Sequence, residues 1–378
     1  MSLENEFEEQ HILDMLRIIG GTPRLRGPRR VGRIDEIFRR AAKNIVRDIA
    51  RFKLKHPPST YSGGFYAKHG RIAEQIARTL KGFEAELYTT IEDAVVSQWN
   101  LGNERWDELL KAKTRNLKVP SALSRSMYQV NIGALNSFLD RTEGGMKLSS
   151  RVWKNVVSGV NEQLETYMGA GIATGKSAAE ISRDVRMMLN EPDRLYRRIR
   201  DKETGELRLS GPAREYHPGR GVYRSAFKNA LRMTATETNM AYRASDSERR
   251  SQLPFVYGIE VHLSLSHPRY DICDPLTGEY PRSFVFLGWH PWCLCYTTAI
   301  LPDKDSFVRY VQTGDLDRRK YIKAIPQSAQ AYMKSHKSEI QGWKTQPAFV
   351  EKNLTKNLTL RKSVAKPPSP AKLKAHTT

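Results

Sequence analysis

Long apolar runs are missing from this sequence: none approaches the roughly 18 residues a membrane helix needs, so no membrane partner is expected. The opening residues MSLENEFEEQ are acidic, unlike the positively charged start of a secretory leader, and a soluble protein is the expectation. Cysteine is scarce too. Only 3 occur in 378 residues, an odd number at close spacing, which excludes a dense disulfide framework and leaves thiolate ligands or buried small hydrophobes. Acidic residues are few beside basic ones, 41 Asp+Glu against 62 Lys+Arg. The formal charge of +21 favours polyanionic partners such as nucleic acid or an acidic assembly surface. The length allows two or three domains.

Apolar periodicity makes most of the chain helical. Residues 3–18 are loosely periodic and stop at Gly20-Gly21-Thr22-Pro23. The run RLRGPRRVGR then sets Arg24, Arg26, Arg29, Arg30 and Arg33 among Gly and Pro. It reads as a solvated loop, with a phosphate-contacting arm as the sharper alternative. Ile37, Phe38, Ala41, Ile45, Ile49 and Phe52 predict an amphipathic helix over 34–55, ended by His56-Pro57-Pro58. Ile72, Ile76, Leu80, Phe83, Leu87, Ile91, Val95 and Trp99 extend a helical pattern to about Leu110, a length that suggests a hairpin or bundle.

Helical spacing continues through 121–140 and 148–172, and Ser177 with Glu180 three residues on forms a capping-box pattern for a short helix ending near Leu189. Residues 191–222, rich in Arg, Gly and Pro, read as a β-ribbon or extended loop turning at Glu203-Thr204-Gly205-Glu206. A helix over roughly 224–251 precedes the first strand-like residues, Val256, Ile259, Val261 and Leu263. The expected fold is α+β. A helical N-terminal region, 1–120, and a further helical region, 121–190, lead into a small α+β module with a Cys/His cluster, 191–302. A polar extension, 303–350, and a disordered basic tail, 351–378, complete the chain, with seven Lys/Arg and no acid from Lys352 onward.

All three cysteines fall between His262 and Cys295. A tetrahedral zinc site draws four N/S ligands from two pieces of chain. His267 with Cys273 and Cys293 with Cys295 supply that format, with His290 in reserve. No C-x-x-C is present, and the competing reading is that the cysteines are buried small residues and His290 caps a turn. Lesser readings are a redox pair, a hydrolase pairing Cys293 with His290 or His267 under the orientation of Asp271 or Asp274, and a nuclease built on His262, His267, Asp271 and His290. In the preceding helix, Thr234, Thr236 and Glu237 with Asn239, Tyr242 and Arg243 give a small polar face in an apolar setting. A buried Glu237 would need partners such as Arg232. A structural tether to the β-module is the main reading of that face and a catalytic carboxylate the minor one.

The succession ALRMTATETNMAYRASDSERR, a strand, DICDPLTGEYP and GWHPWCLC resembles the phage Mu F-like minor head protein family, or phage head morphogenesis domain. Its pattern is an Arg-Thr-Glu helix with a small residue four on, a short strand, D-x-x-C-x-x-C with Gly five residues later, and H-P-x-C-x-C. Thr236, Glu237 and Ala241 match the helix, Cys273 and Gly278 the second Cys and its turn glycine, and His290, Pro291, Cys293 and Cys295 the terminal signature. Tyr270 stands in place of the first Cys, leaving His267 as a candidate substitute ligand. The likeness covers about residues 148–302. It implies a non-enzymatic virion component of few copies, bound to portal and inner capsid proteins during head assembly in the host bacterial cytoplasm. DNA is a further implied partner and zinc a candidate staple, with no small-molecule substrate. The runner-up is a DNA-binding or metal-dependent nucleic-acid-processing protein.

Overall fold

The computed structural model describes residues 32–51, 65–174, 176–216, 223–265, 267, 270–343 and 345–362. The helix expected over 3–18, the arginines Arg24, Arg26, Arg29 and Arg30, and residues 363–378 of the basic tail lie outside the described residues; Arg33 opens the first described helix.

The architecture is helical with two small sheets, the α+β class expected. The helices are α1 (Arg33–Arg51), α2 (Phe65–Lys68), α3 (Gly70–Thr114), α4 (Ser121–Met127), α5 (Ile132–Leu139), α6 (Leu148–Val152), α7 (Ser158–Ala173), α8 (Ala178–Asn190) and α9 (Pro192–Leu195). A π-helical turn, Trp153–Val157, joins α6 to α7. The hairpin β1 (Arg198–Arg200) and β2 (Leu207–Leu209) is followed by α10 (Gly211–Glu215) and α11 (Ala226–Ser251). Strands β3 (Gly258–His262), β4 (Gly278–Pro281) and β5 (Tyr296–Ile300) form an antiparallel sheet in the order β4-β3-β5. Helices α12 (Lys304–Thr313), α13 (Gln327–Ser335), α14 (Lys337–Gln341) and α15 (Ala348–Asn353) follow.

The described residues fall into two compact units, one from within 94–140 and 236–362, the other from within 32–93 and 141–235. Their borders lie inside α3 and α11 and not at the composition shifts of the sequence. The long periodic segment is one 45-residue helix and not a hairpin, because no turn interrupts its i, i+4 ladder between Gly70 and Thr114.

In the second unit α1 packs against α8, with Ile37, Phe38, Ile45 and Ile49 buried. Phe38 meets Phe83 and Phe227 edge-on at 4.9 and 5.2 Å. Asp48, buried on the same helix, accepts from Gln75 Nε2 at 3.1 Å, so it is not left as an unpaired charge. At α8 the capping box forms as the sequence predicts: Ser177 Oγ accepts from Glu180 N, and Glu180 Oε2 accepts from Ser177 N at 2.8 Å. Replacing Ser177 by Ala leaves those helix-end donors to water, so urea denaturation should show a loss of about 1 kcal/mol; no change would mean that the cap carries no stability.

The first unit holds two apolar clusters. One gathers Trp106, Leu110, Leu123 and Met127 with Phe255, Phe307 and Tyr310. The other surrounds the cysteines with Ile259, Val261, Leu276, Tyr280, Phe284, Phe286 and Trp289, and also with Met333, Phe349 and Leu358. Residues beyond 303 therefore belong to the core. Their short helices bury one to three apolar side chains each, which a polar average conceals. The expected disorder of 351–378 is corrected for its first residues: the fully buried Asn353 pairs with both the N–H and the C=O of Val285, at 2.8 and 2.9 Å, and Leu354 bridges Leu360.

Candidate metal centre

Three pieces of chain converge on the cysteines. The first is the turn after residue 270. Asp271 Oδ1 accepts from Cys273 N and Asp274 Oδ2 from Asp271 N, both at 2.7 Å, before a 3-10 turn, Asp274–Leu276, leads into β4. Gly278 opens β4 at φ 115, with Pro326 so close that a Cβ would stand 3.1 Å from its Cγ.

The second piece, residues 288–295, is bent sharply. Gly288 has φ 107 and a Cβ there would meet Arg243 Nη1 at 2.6 Å, so only glycine fits. Trp292 takes the left-handed conformation at φ 65, unusual for a bulky residue and costly unless its surroundings enforce it.

The enforcement comes from the third piece, α11. Thr236 Oγ1 accepts from Trp292 N at 3.1 Å, and Asn239 Nδ2 donates to Cys293 O at 3.1 Å. Arg243 donates to the carbonyl oxygens of Leu287, Cys293 and Cys295, and its guanidinium carbon lies 5.0 Å from the Phe286 ring centre. A buried cation satisfied by three carbonyls and an aromatic face orders the whole loop. Glu237 and Ala241 are buried on the same helix. This arrangement is the structural tether that the motif helix suggested. Asn239 and Arg243 stood in the sequence only as neighbours of Glu237, because the carbonyls they hold have no residue signature and lie some 50 positions away.

The three pieces bring Cys273, His290 and Cys293 into one group whose ligand atoms lie within 4.8 Å of one another. Cys273 Sγ is 3.1 Å from His290 Nε2 and 3.8 Å from Cys293 Sγ. His290 Nδ1 lies 2.7 Å from Pro291 O. A carbonyl can only accept, so Nδ1 carries the proton and the Nε2 lone pair faces the sulfur, the tautomer a metal ligand requires. Cys295 is buried beside the pair. His267 stands apart, in a second group with Asp271 and Cys273. Its Nε2 is 3.2 Å from Asp274 Oδ2 and 3.8 Å from Asp271 Oδ1. Asp271, next to the vacancy at Tyr270, reaches His290 Nε2 at 3.5 Å. His262 is elsewhere, its ring stacked on Tyr296 and its Nε2 2.8 Å from Thr298 Oγ1.

Of the three thiols, Cys293 is the one whose surroundings favour ionisation. Burial opposes ionisation there most strongly. Hydrogen bonds from Cys273 and Cys295, with the positive charge of Arg243, outweigh it and hold the thiol well below its ordinary range. Cys273 is pushed far up by its hydrogen bonds to Cys293 and Cys295 and then by burial. Cys295 is acted on most by Cys273, which lowers it, but its hydrogen bond to Cys293 and its burial leave it raised. A buried cysteine that ionises readily, with two further thiols and an imidazole about it, is a donor set for a thiophilic cation.

A tetrahedral ion with metal–sulfur bonds of roughly 2.3 Å sets its sulfurs about 3.8 Å apart. The observed Cys273–Cys293 separation is 3.8 Å. The corresponding nitrogen–sulfur edge is about 3.5 Å, so His290, at 3.1 Å from Cys273 Sγ, need move only slightly. The residues fit a metal ion. Among the described residues no helix is long and apolar enough to cross a membrane. Comparison of the chain with protein-family models, curated proteins and solved structures finds no match in any of the three.

Proposed function

We propose that this chain is a minor head protein of a tailed phage or prophage, a structural component that associates with portal and inner capsid proteins during head assembly. The observation that carries the reading is the mutual engagement of the family-like motifs. Thr236 on the motif helix accepts from the backbone of the terminal signature at Trp292, while Asn239 and Arg243 of that helix hold the carbonyls of Cys293 and Cys295. Catalysis is not part of the proposal: the polar groups around the cysteines are engaged in holding the loop.

Zinc is the proposed metal, since two buried cysteine sulfurs with a half-buried imidazole suit a structural zinc ion. Cys273, His290 and Cys293 would hold it, with the Cys295 thiol as the nearest further donor. Bound there, zinc would supply cross-linking between the turn at 271–276 and the loop at 288–295. The chain's own part is to present Nε2 as a lone pair and to bury the sulfurs. Mass spectrometry of purified particles from a lysogen that carries the gene should find the chain together with portal protein, and deleting the gene should lower the yield of filled heads. Particles that lack the chain and assemble normally without it would overturn the reading.

A further inference from the structure

Between residues 111 and 139 the chain carries five cations, Lys111, Lys113, Arg115, Lys118 and Arg125, and no acid. The intervening apolar residues Leu110, Leu117, Val119, Leu123 and Met127 belong to or pack on the cluster around Trp106. Their burial turns the cations outward: Lys111, Arg115, Lys118 and Arg125 are exposed and Lys113 half-buried.

Elsewhere many surface cations meet a carboxylate, as in Arg39–Asp35, Lys176–Asp184, Arg208–Asp201 and Lys320–Asp303. Among the described residues none of these five makes an ion pair or a side-chain hydrogen bond. The negative end of the α3 dipole accounts for Lys111 and Lys113 in the last turn. It does not account for Arg115, Lys118 and Arg125, which lie beyond that turn.

We propose that this acid-free ridge binds the phosphate backbone of double-stranded DNA. The exposed residues between the cations are Ala112, Asn116, Pro120, Ser121 and Ala122, small or uncharged and without an aromatic. Such a surface lets a phosphate backbone approach closely and suits contacts that position a duplex without reading its bases. It lacks the buried aromatic anchors on which tight protein interfaces depend, which disfavours an acidic protein as the occupant. The inference stands on charge and burial alone and does not depend on the head-protein reading.

The test is fluorescence anisotropy of the full chain with a labelled DNA duplex of mixed sequence over a range of salt concentrations. One variant replaces all five cations by Gln. A second replaces only Arg115, Lys118 and Arg125. A charge-matched control replaces Lys43, Arg71, Lys81, Arg183 and Arg186, all exposed and outside the ridge. The five-fold ridge variant should bind roughly tenfold more weakly or worse, with a salt slope shallower by about two or more. The second variant should show more than half of that loss on a logarithmic scale, and the control should stay within about twofold of the parent. Equal loss in ridge variant and control would assign binding to diffuse net charge and overturn the proposal, as would no loss in either. Competition by polyglutamate as effective as by unlabelled duplex would give the ridge to an acidic protein and overturn it as well. Unchanged melting of the variants confirms that folding is not what is being read.

Discussion

Replacing Arg250 by Met should cost about 3–5 kcal/mol of stability, because it takes one partner out of a buried ion pair and strands the rest. Arg250 is 1 % exposed and pairs with Asp246 one turn earlier on α11. It also donates to the carbonyl oxygens of Arg282 and Phe284, each at 3.0 Å. Asp246 in turn accepts from Trp106 Nε1 at 2.8 Å and lies 3.5 Å from Arg105 Nη1. Burial pulls the Arg250 guanidinium below its usual range, and the charge and hydrogen bond of Asp246 work against that pull. With Met in place, two carbonyls lose their donor and the carboxylate keeps only its weaker partners. Urea denaturation followed by tryptophan fluorescence reads the loss. A change below about 1 kcal/mol would mean that the network relaxes around the gap. Adding Asp246→Leu to Arg250→Met should recover part of the loss, since a charge-free core needs no compensation.

Periodicity made the helices legible where burial follows spacing. Every residue from Ile72 to Trp99 named by the i, i+4 pattern is buried on α3, and the capping box at Ser177 formed as its sequence implied. Periodicity could not tell a hairpin from one continuous helix. Gly102, inside that helix, lets α11 come close: a Cβ there would be 3.0 Å from Ser245 Cβ and from Tyr242 O. The α+β module read as 191–302 was cut short for a related reason. Met333, Phe349 and Leu358 reach the cysteine core from segments whose average is polar, so the composition hid their few decisive side chains.

At the site, spacing singles out the rare residue types but pairs His267 with Cys273 and Cys293 with Cys295 and keeps His290 in reserve, whereas the structure groups Cys273 and Cys293 with His290 and sets His267 with Asp271. The contributions of Arg243 and Asp271 were not legible in the same way. Arg243 acts through backbone carbonyls, and Asp271 gains its place from a turn that holds its carboxylate toward both imidazoles. Trp292 carries the backbone strain of that loop, whereas Gly288 takes its conformation freely. Both φ values are positive, and both residues adjoin the segment that α11 holds.

Purified chain should carry close to one zinc ion, and Cys293→Ser should reduce that to almost none after dialysis, the largest single-residue effect expected here. Cys293 is the thiol whose surroundings favour ionisation, so of the three it gives up its proton most readily; serine at that position stays protonated at neutral pH and offers a hard oxygen in place of a soft sulfur. Structural zinc in small sites contributes on the order of 10 kcal/mol of binding free energy, much of it drawn from thiolates, and so losing one of two close sulfurs should weaken binding by several orders of magnitude. Cobalt substitution separates this outcome from simple misfolding: wild type should show sulfur-to-metal charge transfer and the strong visible bands of a tetrahedral ion, and the variant should lose both while its far-ultraviolet circular dichroism stays close to that of wild type. Because α11 fixes the loop independently, through Thr236, Asn239 and Arg243, the fold around the site should survive the loss of metal with reduced stability. Well-folded wild type that holds no zinc and shows no cobalt bands would sink the metal assignment and leave the cysteines as packing residues of the core they line. Binding should also weaken as pH falls, since Cys273, held above its ordinary range by its hydrogen bonds to the other thiols and by burial, must give up a proton for the set to close on an ion.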